Sequence, residues 1–260
     1  MNLTPLILRS ENEGIATITL NRPVAYNALS LGLMNALMTE LERIKESGSV
    51  KVVVLKGAGK GFCAGHDLKE MIDSATPELH SKTFQTCSRL MQMFTQLPQP
   101  VIAQVHGIAT AAGCQMVASC DLAVAADNAR FATPGVNIGL FCSTPMVALS
   151  RTVSRKHAME MLLLGDMINA QRAYEMGLIN KVVDTDQLDS AVIDIAKQLA
   201  SKSAMTLRTG KTAFYQQVDQ SLADAYEHCS SVMSCNMETE DAQEGIDAFL
   251  NKRTAVWKDR

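Results

Sequence analysis

Twice in this chain a run of β-branched and apolar residues ends in a turn of small residues and gives way to a helix-like stretch. VKVVVLKG runs into GKGFCAGHDLKE at 59–70, and PVIAQVHG runs into VHGIATAAGCQM at 105–116. A strand, a tight turn and a helix, used repeatedly, restrict the chain to a layered α/β architecture. Small residues in such turns let a ligand approach the backbone closely. The helix that follows opens with N–H groups that have no partner within it. Two such turns facing one another can hold a single oxygen between two donors, which is the arrangement of an oxyanion hole.

The rest of the pattern agrees. Strands are predicted near 6–9, 14–20, 50–56, 101–106, 121–125 and 130–133, with helices near 30–47, 67–73, 78–96 and 112–119. Beyond 145 the chain reads as helices near 145–152, 155–164, 170–176, 187–202, 204–218, 221–237 and 241–251, broken by one short strand, NKVVD, at 180–184. This predicts an α/β core over 1–200 and a helical region over 201–260, although no Pro/Gly/Ser linker marks the boundary. The helical region is amphipathic without being strongly basic, which suits a partner subunit better than a membrane.

A net charge of −3 gives no general reason to bind nucleic acid or an anionic membrane, and no apolar run is long enough to span a bilayer. Seven cysteines with no CxxC pair read as reduced thiols. The N-terminal MNLTPLILRSENEG has neither a secretory nor a transit-peptide pattern, so the expected location is cytoplasmic. No grouping of His, Asp, Glu and Cys has metal-ligand spacing, so no metal is expected.

The two turns, taken with NRPVAYNALS, DLAVAADNARFATP, LLLGDMINAQRAYEMGLINKVV and EGIDAFLNKRTAVWKD, resemble the crotonase (enoyl-CoA hydratase/isomerase) superfamily along nearly the whole chain. The resemblance implies a spiral of ββα units with a C-terminal helical trimerisation region, assembled as trimers or paired trimers. It implies no prosthetic group, coenzyme A being part of the acyl-CoA thioester ligand. It places the two oxyanion-hole N–H groups at Ala64 and Ala112. Ala64, Gly65, His66, Asp67 and Leu68 then wrap the CoA adenine through their backbone, while Phe249 and Lys252 match residues that reach a CoA on a neighbouring subunit. For Lys252 a solvated surface lysine is the alternative. Relatives usually carry Gly where this chain has Ala112; Ala keeps the N–H and adds a methyl.

A hydratase of this family uses two glutamates. Here Gln115 stands in the place of the first, and its amide orients water but does not titrate. Gly135 stands in the place of the second and has no side chain. General acid–base catalysis needs a titratable group within reach, so ordinary enoyl-CoA hydration is expected to be weak or absent. Gln115→Glu with Gly135→Glu is expected to restore some of it. Relatives that place a carboxylate further along do so at the position of Ser143. Serine needs an activating base, and the adjacent Cys142 acts only if its thiol pKa is depressed, being otherwise an inert buried thiol. Ser143 and Thr144 also read as caps of a helix beginning at Pro145. The His66 ring faces solvent or cofactor, His106 reads as a satisfied core histidine, and Asp67 as a brace for the helix after it.

Two functions fit. One is a divergent acyl-CoA enzyme that stabilises a thioester oxyanion, with thioester hydrolysis or decarboxylation needing little beyond the hole. The other is a non-catalytic acyl-CoA-binding or sensing protein. RNA binding, known in one branch, needs a lysine-studded helix, whereas MNALMTELERIKE carries only Arg43 and Lys45 among three glutamates.

Overall fold

A computed structural model describes residues 4–73 and 75–260. The chain opens with an antiparallel hairpin of β1 (Ile7–Asn12) and β2 (Ile15–Leu20), turned through Glu13 and Gly14, both at positive φ. Helix α1 (Leu31–Lys45) starts at Ser30, whose side chain accepts the Leu33 N–H, and buries Leu33, Met34, Leu37, Leu41 and Ile44 along one stripe. There follow β3 (Val52–Gly57), α2 (Leu68–Asp73), α3 (Pro77–Gln96), β4 (Val101–Val105), β5 (Ile108–Thr110) and α4 (Ala112–Ser119). Next come β6 (Leu122–Ala126), β7 (Arg130–Ala132), α5 (Ser143–Thr152), α6 (Arg155–Leu164), β8 (Ile168–Asn169), α7 (Ala170–Glu175) and β9 (Lys181–Val183). Four helices finish the chain: α8 (Leu188–Ala200), α9 (Ala204–Gln217), α10 (Leu222–Met237) and α11 (Glu240–Leu250).

The strands form a large sheet in the order β1-β2-β3-β4-β6-β9, parallel beyond the hairpin, and a small sheet in the order β5-β7-β8. Each turn of the chain gives one strand to the large sheet, one to the small sheet, then a helix. β4-β5-α4 and β6-β7-α5 are complete units. In the unit that starts with β3, the second strand shrinks to a single bridge from Cys63 to Ala109. This is the spiral of ββα units that the resemblance implied. Central strands are buried on both faces, so they read as unbroken apolar runs. Ile15, Val52, Val54, Ile102 and Val124 meet Leu188, Val192 and Ala196 of α8. The alternate residues Ile18, Val53, Leu55, Ala103 and Val105 face the larger core with α1, α3 and α4. The predicted elements are present, while β5 and β8 were not foreseen because three and two residues are too short to show a period.

Helix α9 is locked to the α/β body. Lys211 Nζ donates to Asp121 at 2.6 Å and to the carbonyls of Phe94 and Gln99, while Tyr215 donates to the other Asp121 oxygen. Helix α10 buries none of its own residues. No helix among the described residues is long and apolar enough to cross a membrane.

Candidate active site

The first glycine turn is braced by the N-terminal NRPVAYN segment. Asn27, buried at a positive φ of 56°, donates to the carbonyls of Ala58, Gly61 and Phe62 and accepts the Arg22 N–H. The Arg22 guanidinium reaches Asp67 at 2.7 Å, and Asp67 also accepts the Glu70 N–H at the start of α2. Burial raises the Asp67 carboxyl, but these donors outweigh it and hold the group below the usual carboxylate range. Asp67 is thus the expected brace for the helix after it.

The two turns are zipped together. The Cys63 N–H donates to Ile108 O at 3.0 Å, the Thr110 N–H to Cys63 O at 2.9 Å, and the Thr110 hydroxyl to Ala64 O at 3.0 Å. Contact is close enough to require glycine. A Cβ on Gly65 (φ +99°) would lie 2.9 Å from Ala111 Cβ and 3.3 Å from Ala112 N, and one on Gly113 only 2.1 Å from Cys63 O. Ala112 opens α4, so its N–H has no partner inside the helix. Ala111 before it is held at φ 50°, ψ −118°, a conformation that suits glycine.

The Ala64 N–H is already used, donating to Tyr26 O at 3.0 Å. His66 sits in a parallel bridge to Leu29 whose two bonds, Leu29 N–H to Gly65 O and Asp67 N–H to Leu29 O, flank it. Its own N–H points the other way and has no acceptor among the described residues. It follows Gly65, on which a Cβ would lie 3.3 Å from Ala112 N. A partner from 38 positions upstream cannot be seen in a turn motif, so nothing in the motif reveals that the Ala64 N–H is taken.

Gln115 lies one turn along α4 from Ala112. It is 4% exposed, and its Oε1 has no partner among the described residues. Gly135 is enclosed: a Cβ there would sit 2.9 Å from both Cys142 Sγ and Leu140 O. Restoring a carboxylate at 135 is therefore not the simple exchange the sequence suggests. Burial raises the Cys142 thiol pKa, only partly opposed by the Gly135 backbone, so Cys142 is a protonated thiol and not the thiolate nucleophile considered above. Ser143 is exposed, and its hydroxyl reaches only Phe141 O, at 3.4 Å. The capping role for Ser143 and Thr144 is not found: α5 starts at Ser143 behind Cys142, with no side-chain cap.

The His66 ring packs edge-on against Phe84 with its Nε2 buried, and burial pushes its pKa down to about 4. It is neutral at pH 7 and faces a phenyl ring where solvent or cofactor was expected. His106 is satisfied by Gly59 O at 2.9 Å. Phe249, 81% exposed, and Lys252 lie at the end of α11, which packs on α9 and α10; a single chain leaves both in solvent and not at the first turn. Below Gln115 a cavity of about 900 Å³ opens between α3, α4, α5 and α9. Nothing in the sequence pattern announced it.

Spiral ββα topology with two interlocked glycine turns defines a crotonase-type fold. Residues 10–260 match the enoyl-CoA hydratase/isomerase family, and the chain belongs to it. Within that family it is similar to the enoyl-CoA hydratase domain-containing protein 3 group, to which the FATPGVNIGLFCSTP segment also points. It is 47% identical to the mitochondrial protein of that name from Mus musculus over 247 residues, 95% of this chain and 82% of the relative. The human protein is 47% identical over 94% of this chain and 81% of its own length. Among solved structures, an enoyl-CoA hydratase from Mycobacterium smegmatis superposes with a TM-score of 0.96 at 47% identity, over 98% of this chain and 99% of that one. Human enoyl Coenzyme A hydratase domain-containing protein 3 superposes at 0.95 and 46%, over 97% and 100%. The Mus musculus, Rattus norvegicus, Xenopus laevis and Homo sapiens relatives are named as mitochondrial proteins, which overturns the cytoplasmic expectation. Five of the seven cysteines are buried, and inert buried thiols do not distinguish one reducing compartment from another.

Proposed function

We propose that the N–H groups of His66 and Ala112 receive the thioester oxygen of an acyl-CoA and stabilise the negative charge that develops on it. What supports this reading is that the His66 and Ala112 N–H groups have no acceptor among the described residues and stand on turns zipped to one another, Ala112 at the positive end of α4. Ala64 to Leu68 then wrap the CoA adenine through their backbone, the Ala64 N–H excepted because it donates to Tyr26 O. Phe249 and Lys252 reach a CoA on a neighbouring subunit in a trimer or a pair of trimers. In that assembly residues 201–260 form the trimerisation region, consistent with Leu222, Tyr226 and Met233 standing exposed on α10.

Proton transfer has no side chain to carry it. Gln115 is an amide, Gly135 has no side chain, the His66 ring is neutral and Cys142 keeps its proton. The chemistry open to such a site is polarisation of a thioester for attack by water or for loss of carbon dioxide, with enoyl-CoA hydration weak or absent. The same lack of a titratable group favours a second reading, a binder that senses or stores acyl-CoA without turnover.

The deciding experiment incubates purified protein with short, medium, unsaturated, malonyl-type and aromatic CoA thioesters and follows retention and products by mass spectrometry. A product mass supports the enzyme and names the reaction. Retention without product supports the binder. Neither retention nor product overturns the acyl-CoA reading.

A further inference from the structure

Gln115 is buried, and its Oε1 is turned into the protein, where it meets no donor among the described residues. Its amide N–H groups have no acceptor among the described residues either, and they line the cavity between α3, α4, α5 and α9. A side chain on a helix leans toward the N-terminus and over the preceding turn. Gln115 therefore leans over the turn that Ala112 opens. Side chains three apart on one helix stand about 5–6 Å from each other, a span of a few covalent bonds. The charged groups at the cavity are paired. Asp121 is held by Lys211 and Tyr215, Lys211 spends its remaining protons on the Phe94 and Gln99 carbonyls, and Arg151 lies 4.0 Å from Asp219. Much of the remaining wall is apolar, including Met91, Ala118, Val147, Ala148 and Val218.

A plain hydrocarbon chain laid over such an amide cuts its N–H groups off from water and gives them no acceptor. A carboxylate brought there loses its hydration and gains no free cation in return. An uncharged carbonyl oxygen satisfies the amide at the least cost. Resting on the thioester position proposed above, we propose that Gln115 is a specificity-determining residue that selects acyl groups with a carbonyl oxygen on C3, the 3-oxoacyl thioesters. The thioester oxygen is held at the Ala112 N–H and the C3 oxygen one helical turn along, at the Gln115 amide. The hydrocarbon beyond C3 lies against the apolar wall.

The test measures binding of butyryl-CoA, acetoacetyl-CoA and malonyl-CoA to the full chain by titration calorimetry, with CoA alone as reference. These differ at C3, which carries hydrogens, a ketone oxygen or a carboxylate. Acetoacetyl-CoA is expected to bind about five- to tenfold more tightly than butyryl-CoA, one net hydrogen bond's worth, and malonyl-CoA more weakly than acetoacetyl-CoA. Gln115→Met keeps the length of the side chain and removes the donors, and is expected to bring acetoacetyl-CoA and butyryl-CoA within about twofold of each other. The wild-type ratio tests the selection whether or not that variant folds. Equal affinity of the wild type for butyryl-CoA and acetoacetyl-CoA, tightest binding of malonyl-CoA, or an undiminished preference in a folded Gln115→Met overturns the selection and leaves the thioester reading standing. Failure of the folded wild type to bind any of the thioesters more tightly than CoA alone overturns both.

Discussion

At residue 111 an alanine occupies backbone that glycine adopts more readily, at φ 50° and ψ −118°, directly before the Ala112 donor. Such strain typically costs about 1–3 kcal/mol. Ala111→Gly is therefore expected to stabilise the protein by about 1 kcal/mol, after loss of one methyl contact, and to raise the midpoint by roughly 2–3 °C in a thermal melt. Gly135 is the opposite case. A Cβ there meets a carbonyl oxygen and a sulfur at 2.9 Å, so Gly135→Ala is expected to cost about 1–3 kcal/mol in urea unfolding. The Gln115→Glu, Gly135→Glu pair is then expected to gain no crotonyl-CoA hydration, and a folded double variant that hydrates crotonyl-CoA would contradict the closed slot. His66 makes stability depend on pH. Its pKa falls from 6.5 in the unfolded chain to about 4 in the fold, so the unfolded state takes up a proton first as the pH drops. The contribution is fully present above pH 6.5 and lost toward pH 4, amounting to about 2 kcal/mol between pH 7.5 and pH 5. Paired urea titrations should record that fall in the wild type and a smaller one in His66→Gln.

At the level of elements, α9 belongs energetically with the α/β body and α10 does not. The Lys211 side chain is 7% exposed, with three acceptors around its ammonium group, one of them the Asp121 carboxylate that also takes the Val101 N–H. Removing one member of such a pair leaves the other charge buried and uncompensated. Lys211→Met is expected to cost about 3–5 kcal/mol, with hydrogen exchange in 204–217 rising before that of the central strands. The tail beyond α11 is tied down by ordinary bonds: Trp257 Nε1 to Ser201 O, and Asp259 to Lys51 and the Ala204 N–H. The division expected near residue 200 therefore falls on a joint crossed by buried and surface contacts alike, which is why no linker composition marks it. Strand and helix positions were legible because each repeats its own period over many residues. The strands of the small sheet were not, since two or three residues carry no period and are ordered by what they pair with.

Across the whole molecule, several helices carry exposed apolar side chains, among them Leu222, Tyr226 and Met233 on α10, Phe249 and Leu250 on α11, and Leu163 and Leu164 on α6. Burying these side chains against further copies of the chain would remove apolar surface from water. Light scattering on the purified protein is expected to give three or six times the chain mass of 28.2 kDa. Tyr226→Asp with Met233→Asp is expected to reduce this toward the single-chain mass. If Phe249 and Lys252 act on a neighbour's CoA, acyl-CoA affinity falls with it. A wild-type protein that runs as a monomer would remove both residues from the site.

The amino-acid order by itself determined the layered α/β plan, the two turns and the presence of an amide at 115 and of no side chain at 135. These are properties of local period and of residue identity, and neither needs a partner. Tertiary structure decided which N–H stays spare, because Tyr26 consumes that of Ala64 from far upstream while His66 keeps its own. It closed the space beside Gly135 through Leu140 and Cys142, and it silenced the Cys142 thiol by burying it. Hydrogen bonds and desolvation are set by whichever atoms arrive from 45 or 90 residues away, as between Arg22 and Asp67 or Lys211 and Asp121, and a sequence pattern carries no record of that meeting.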